Sequence, residues 1–194
     1  VPRLAPGYYR VKADGKPPLD LRAFERTDTS PLNARARSKG VPVKFLKAVR
    51  LDDSDDRLLE DEGGAAADGE WVVSGGYAVC DLAQGHRMPR CHCDTTFVAA
   101  GARRRCTIAE VADIEAPAYE QVKQALARHL LEDLGAPTPE AAAAAAEDEC
   151  TYTKELAETF PTEVWITVKR APTEDGVSER YSVFKRLMIG THKL

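Results

Sequence analysis

The stretch PAYEQVKQALARHLLEDLGAPTPEAAAAAAEDECTYTKELAETFPTEVWITVKR, residues 117–170, decides the fold. It reads as helix, break, helix, break, strand. Pro117 suits a first helical turn, and Glu115 and Glu120 sit near the positive end of the helix dipole. Val122, Ala125, Leu126, Leu130 and Leu134 fall on one face. Gly135 fits a C-cap and Pro137 blocks continuation, so a helix is predicted over 117–134. A second helix is predicted from Thr138-Pro139 to Thr159, where Pro161 stops it, with Glu140 favouring its first turn. Val164, Ile166 and Val168 then alternate with Trp165, Thr167 and Lys169, the period of a half-buried strand. A loop from Ala171 to Ser178 leads to a returning strand over Tyr181 to Ile189.

Upstream, strands are predicted at Tyr8–Lys12, Val41–Val49, Trp71–Val79 (bent at Gly75-Gly76), Thr95–Ala99 and Arg105–Val111. Strands, then two helices, then a hairpin imply an α+β domain. Its sheet is mostly antiparallel, with two helices packed on one face and an extended N-terminal arm. A parallel βαβ crossover from the Cys106 strand to the Trp165 strand is the competing topology, although no Gly-rich phosphate loop accompanies it. The expected organisation is an arm over 1–40 and one domain over 41–194, with an acidic mobile loop at 51–70.

Composition excludes several classes. The 194 residues are 43% hydrophobic and 30% charged, the balance of a globular chain rather than a fibrous or wholly disordered one. No apolar run approaches the roughly 20 residues of a membrane-spanning helix. The chain starts at Val1, which suggests a processed organellar or secreted protein, or a fragment.

Net charge is −4, but it is blocked along the chain. Residues 1–50 carry net +8, residues 51–70 net −8 and residues 112–160 net −8. The basic block is rich in proline, which fixes φ and removes donors, so it reads as an extended arm. Its candidate partner-binding residues are Arg3, Arg10, Lys12, Lys16, Arg22, Arg26, Arg35, Arg37 and Lys39. Such an arm fits an acidic protein partner or a larger complex; the bland alternative is a solvated arm lying on the acidic blocks of its own chain. Nucleic acid is disfavoured, because the whole chain is acidic and lacks the signatures of the common nucleic-acid-binding modules. The Asp52–Asp56 run fails as a calcium loop: position six is Arg57 and position twelve is Gly63.

One chemical constellation stands out. Cys80, His86, Cys91, His92, Cys93 and Cys106 lie within 27 residues. Thiolate and imidazole are the preferred ligands of zinc, so these six are the candidate metal ligands. Their spacing departs from that of familiar zinc modules. One or two disulfides, for example Cys80–Cys106 and Cys150 with Cys91 or Cys93, are a second reading in an oxidising compartment. Free cysteines packed as small apolar side chains are a third. A nucleophilic Cys91 or Cys93 activated by His92, with Asp94 as orienter, meets the objection that neighbours on a strand face opposite ways. Arg103-Arg104-Arg105 reads as a solvated turn or as a grip for a phosphate or carboxylate. His129 reads as a surface or boundary residue of the first helix.

No complete catalytic motif is present, which leans away from an enzyme. The leading expectation is a non-catalytic accessory protein that docks through its basic arm. The alternative is a metal- or thiol-dependent protein built on the Cys80–Cys106 cluster. A third is a small-molecule-binding domain or enzyme of unassigned chemistry that uses a concave sheet face.

Overall fold

The computed structural model describes residues 42–80, 91–173 and 176–185. The basic arm with its nine candidate residues, the Tyr8–Lys12 strand and His86 lie outside the described residues. The chain forms β1 (Val43–Ala48), α1 (Ser54–Leu58), β2 (Trp71–Val73), β3 (Phe97–Ala99), β4 (Arg105–Cys106) and β5 (Ala109–Ile114). It continues with α2 (Ala116–Glu132), α3 (Pro139–Glu158), β6 (Val164–Thr173) and β7 (Gly176–Lys185). The seven strands make one sheet in the order β4-β3-β2-β1-β5-β6-β7, antiparallel throughout and curled into a half-barrel. The two long helices pack against it. This is the expected α+β architecture.

The helices follow the sequence closely. α2 begins with proline in its first turn, and Gly135 adopts a left-handed φ of 71° just beyond its end. At the start of α3 the Thr138 hydroxyl accepts the Ala141 N–H at 3.1 Å, a side-chain N-cap. β5 and β6 are antiparallel neighbours, with Ala109 opposite Ile166 and Glu110 opposite Trp165, so the alternative parallel crossover is ruled out.

The hairpin differs from expectation. Pairing between β6 and β7 continues through Ala171↔Ser178 to Thr173↔Gly176, so most of the loop expected at 171–178 is strand. The predicted strand at Trp71–Val79 ends at Val73 and gives way to a 3-10 turn at Gly76–Ala78. Gly75 forces that change: its φ is +80°, and a Cβ there would lie 2.5 Å from the Val98 side chain.

The acidic stretch 51–70 is folded. Besides α1 it holds a 3-10 turn at Glu60–Glu62, and Leu59 and Ala66 are fully buried. Its carboxylates have partners that offset their mutual repulsion. Asp56 pairs with Arg50, Asp55 accepts from the Thr107 hydroxyl at 3.0 Å, and Arg104 grips Glu70 through two nitrogens at 2.6 and 3.2 Å. Backbone bonds Arg105 N–H to Gly64 O and Ala66 N–H to Arg105 O lay residues 64–66 along the edge strand β4.

Alternation sends successive strand residues to different core clusters. Leu46, Val72, Phe97, Val111 and Ile166 form one, joined by Ala157 and Phe160 from the end of α3. Phe45, Val73, Val98 and Ile114 form the other with Val122, Leu126 and Leu130 of α2 and Ala142, Ala145 and Ala146 of α3. Cys106 belongs to the first cluster and Cys150 to the second. No helix among the described residues is long and apolar enough to cross a membrane.

Candidate metal centre

The connection between β2 and β3 brings three cysteines together from its two ends. Cys80 follows the 3-10 turn after β2, and Cys91 and Cys93 precede β3. The sulfur of Cys80 lies 3.2 Å from that of Cys93 and 4.0 Å from that of Cys91, and all three lie within 4.8 Å of one another. Among the described residues this is where three metal-ligating atoms converge. The backbone N–H of Cys80 points at the Cys93 sulfur at 3.5 Å, and the N–H of Cys93 donates to the Cys91 sulfur. Donors aimed at sulfur favour the thiolate form. Cys93 is buried, whereas Cys80 and Cys91 are half-exposed.

The loops that carry these cysteines are held by two arginines. The Arg170 side chain is fully buried. Its Nη1 donates to the carbonyl oxygens of Cys93 at 2.9 Å and Thr96 at 2.8 Å, and its Nη2 donates to the carbonyl oxygen of Ser74. Its Nε donates to Glu179 at 2.7 Å. The other Glu179 oxygen accepts the hydroxyls of Tyr152 and Tyr181, each at 2.6 Å. One guanidinium therefore ties β6, β7, the Cys93 loop and the end of β2, and Tyr152 extends the network into α3. From α3, Glu149 accepts the Gly75 N–H at 2.9 Å and Thr153 accepts the Ser74 N–H at 3.0 Å.

Arg105 works from the other side. Its terminal nitrogens donate to Thr96 Oγ1 at 3.1 Å and to the Ala78 carbonyl at 3.2 Å, bridging the two cysteine-bearing ends of the β2–β3 connection. Its Nε lies 3.2 Å from Glu62 Oε2, an ion pair without the alignment of a hydrogen bond. Glu62 also accepts the His92 N–H and lies 3.9 Å from the Cys91 sulfur. The turn is locked further by the Thr95 N–H and the Thr95 and Thr96 hydroxyls, all bonded to the His92 carbonyl.

Burial is the main influence on the thiols. It pushes Cys91 up and Cys93 well above the usual thiol range, more than the N–H donors bring them down. A catalytic thiol needs the opposite shift. Asp94, the proposed orienter of a Cys–His pair, instead forms an ion pair with Lys169.

Of the six candidate ligands, Cys80, Cys91 and Cys93 meet. Cys106 lies apart, fully buried opposite Phe97, and His92 enters through its backbone. None of the five cysteines is joined in a disulfide. The triple arginine is divided: Arg103 and Arg104 are exposed beside a turn, where they bond the Asp133 carbonyl and Glu70, whereas Arg105 supports the cysteines. His129 is buried rather than at the surface, with Nδ1 2.7 Å from Asp133. Glu62, Arg105 and Arg170 were not anticipated as neighbours of the cysteines. For Arg170 a signal existed, since it continues the phase of the inward-facing Val164, Ile166 and Val168.

No curated protein and no solved structure matches the chain. A family model matches residues 43–192, from the first residue of β1 through the cysteine loops and the hairpin. The chain belongs to the family of unknown function DUF6505.

Proposed function

We propose that this is a metal-binding α+β domain whose Cys80, Cys91 and Cys93 hold a zinc(II) ion as three thiolates. The observation that carries the reading is the convergence of three sulfurs from the two ends of the β2–β3 connection. A zinc–sulfur bond of about 2.3 Å gives sulfur–sulfur edges of roughly 3.8 Å in a tetrahedron. The distances of 3.2 and 4.0 Å around Cys80 bracket that edge. The electrostatics agree. Burial disfavours isolated thiolates here, so a cation among them supplies the charge that lets them ionise. Arg105 nearby helps to balance a site with more thiolates than metal charges.

The ion would act as a staple, clasping the start of the β2–β3 connection to the turn that ends it. Three thiolates fill three tetrahedral positions and leave the fourth to a further donor. This takes up the metal alternative built on the Cys80–Cys106 cluster; the residues of the basic arm lie outside the described part of the chain.

The test is elemental analysis of untagged protein, purified under reducing conditions without chelator. About one zinc per chain is expected, as for a structural thiolate site. Substoichiometric traces that stay low after zinc is added to the reduced protein would overturn the proposal.

A further inference from the structure

Resting on that metal site, we propose that Cys80 and Cys93 form a peroxide-sensitive pair whose oxidation to a disulfide expels the ion. The three sulfurs are not equivalent. The Cys80–Cys93 separation is 3.2 Å, against 4.0 Å for Cys80–Cys91. A disulfide bond is about 2.05 Å long, so the closer pair has little more than an ångström to travel. The Cys80 N–H already points at the Cys93 sulfur. The two also differ in access: Cys80 is half-exposed, while Cys93 is buried to 1%. The accessible sulfur is the one a dissolved oxidant meets, and the buried one is placed to resolve it.

The Cys80 thiolate attacks the O–O bond of hydrogen peroxide, becoming a sulfenic acid and releasing hydroxide. The Cys93 thiolate then attacks the Cys80 sulfur, the S–O bond breaks, a second hydroxide leaves and the S–S bond forms. The sulfurs lose two electrons, which reduce one peroxide, and the two hydroxides take protons from solvent to give water. Two of three metal ligands are consumed, so the ion leaves with Cys91 still reduced. Arg170 holds the Cys93 carbonyl, which leaves the Cys80 end of the connection to make the movement.

The experiment starts from the zinc-loaded full chain, its zinc content measured before oxidant is added. Hydrogen peroxide is titrated in while a chromogenic chelator reports released zinc. Free thiols are then alkylated and the disulfides mapped by mass spectrometry. The expected result is zinc release in step with a Cys80–Cys93 disulfide, Cys91 alkylated, and recovery on thiol reduction. Zinc retained in a several-fold excess of peroxide, or a disulfide made through Cys91, overturns this proposal and leaves the metal site standing. Absence of zinc at the start overturns the metal site and this switch with it. Two variants give a readout independent of zinc loading. Reduced Cys91→Ser still closes the Cys80–Cys93 bond. Cys93→Ser instead accumulates a sulfenic acid on Cys80 that a dimedone probe traps, and failure of either result counts against the pair.

Discussion

The buried guanidinium of Arg170 donates to the carbonyl oxygen of Cys93 at 2.9 Å, linking β6 to the turn that carries two of the three clustered cysteines. The same side chain binds the Ser74 and Thr96 carbonyls and the Glu179 carboxylate, so a single cation satisfies acceptors from three parts of the chain. A buried charge is stable only when paired and hydrogen-bonded in this way.

Removing that cation is costly. Arg170→Met strands the Glu179 carboxylate and three carbonyl oxygens, and destabilisation of about 3–5 kcal/mol is expected by denaturant titration. Arg170→Lys keeps the charge but loses the planar fork, and is expected to recover only part of that loss. A loss below about 1 kcal/mol for Arg170→Met would show that the network is not holding the loops.

Glu179 makes stability pH-dependent. Burial alone would raise its pKa, but Arg170 and the hydroxyls of Tyr152 and Tyr181 hold it below the usual carboxylate range. A folded-state pKa below the unfolded one contributes stability that is present above the unfolded value and is lost as pH falls through the folded one. Glu179→Gln is therefore expected to be less stable than the parent at neutral pH, with the difference shrinking below about pH 4 as the unfolded carboxyl protonates. Urea midpoints measured across acid pH check this, and a constant offset between the two proteins would contradict it.

Gly75 tests the turn that leads to Cys80. With φ at +80° and the Val98 side chain 2.5 Å from where a Cβ would stand, Gly75→Ala meets both strain and collision. A loss of about 1–3 kcal/mol is expected by thermal unfolding. Gly69 also has positive φ but nothing within 4 Å, so Gly69→Ala is expected to lose less and serves as the control.

The cysteines divide into two groups with different readouts. Cys80→Ser, Cys91→Ser and Cys93→Ser are each expected to reduce bound zinc. Cys106→Ala and Cys150→Ala are expected to leave zinc content unchanged and to cost stability by opening small cavities in the two cores. Burial raises the Cys150 thiol to about 12, in keeping with a packing role. Elemental analysis beside thermal unfolding separates the groups, and loss of zinc from Cys106→Ala would redraw the ligand set.

Local pattern determined most of the architecture. The 3.6-residue spacing of Val122, Leu126 and Leu130, the Thr138 cap and the alternation at Val164–Val168 are properties of short segments. These elements formed close to where the sequence puts them. The cysteine cluster was visible as a density of ligand-type residues, but not its membership. Spacing along the chain does not say how the two ends of a long connection meet. Placing β2 beside β3 brings Cys80 to Cys91 and Cys93, while pairing Cys106 of β4 with Phe97 of β3 takes it into the core.

Arg170 shows where the division falls. Its phase with Val164, Ile166 and Val168 predicts an inward side chain, and sequence alone makes that a conflict between charge and burial. Only the tertiary structure supplies Glu179 from the neighbouring strand and the carbonyls of Ser74, Cys93 and Thr96 from distant turns. Helices, strands and caps are set by interactions over a few residues, which the sequence alone records. The compensation of a buried charge and the meeting of three thiols depend on contacts between distant segments, and those exist only once the sheet has closed.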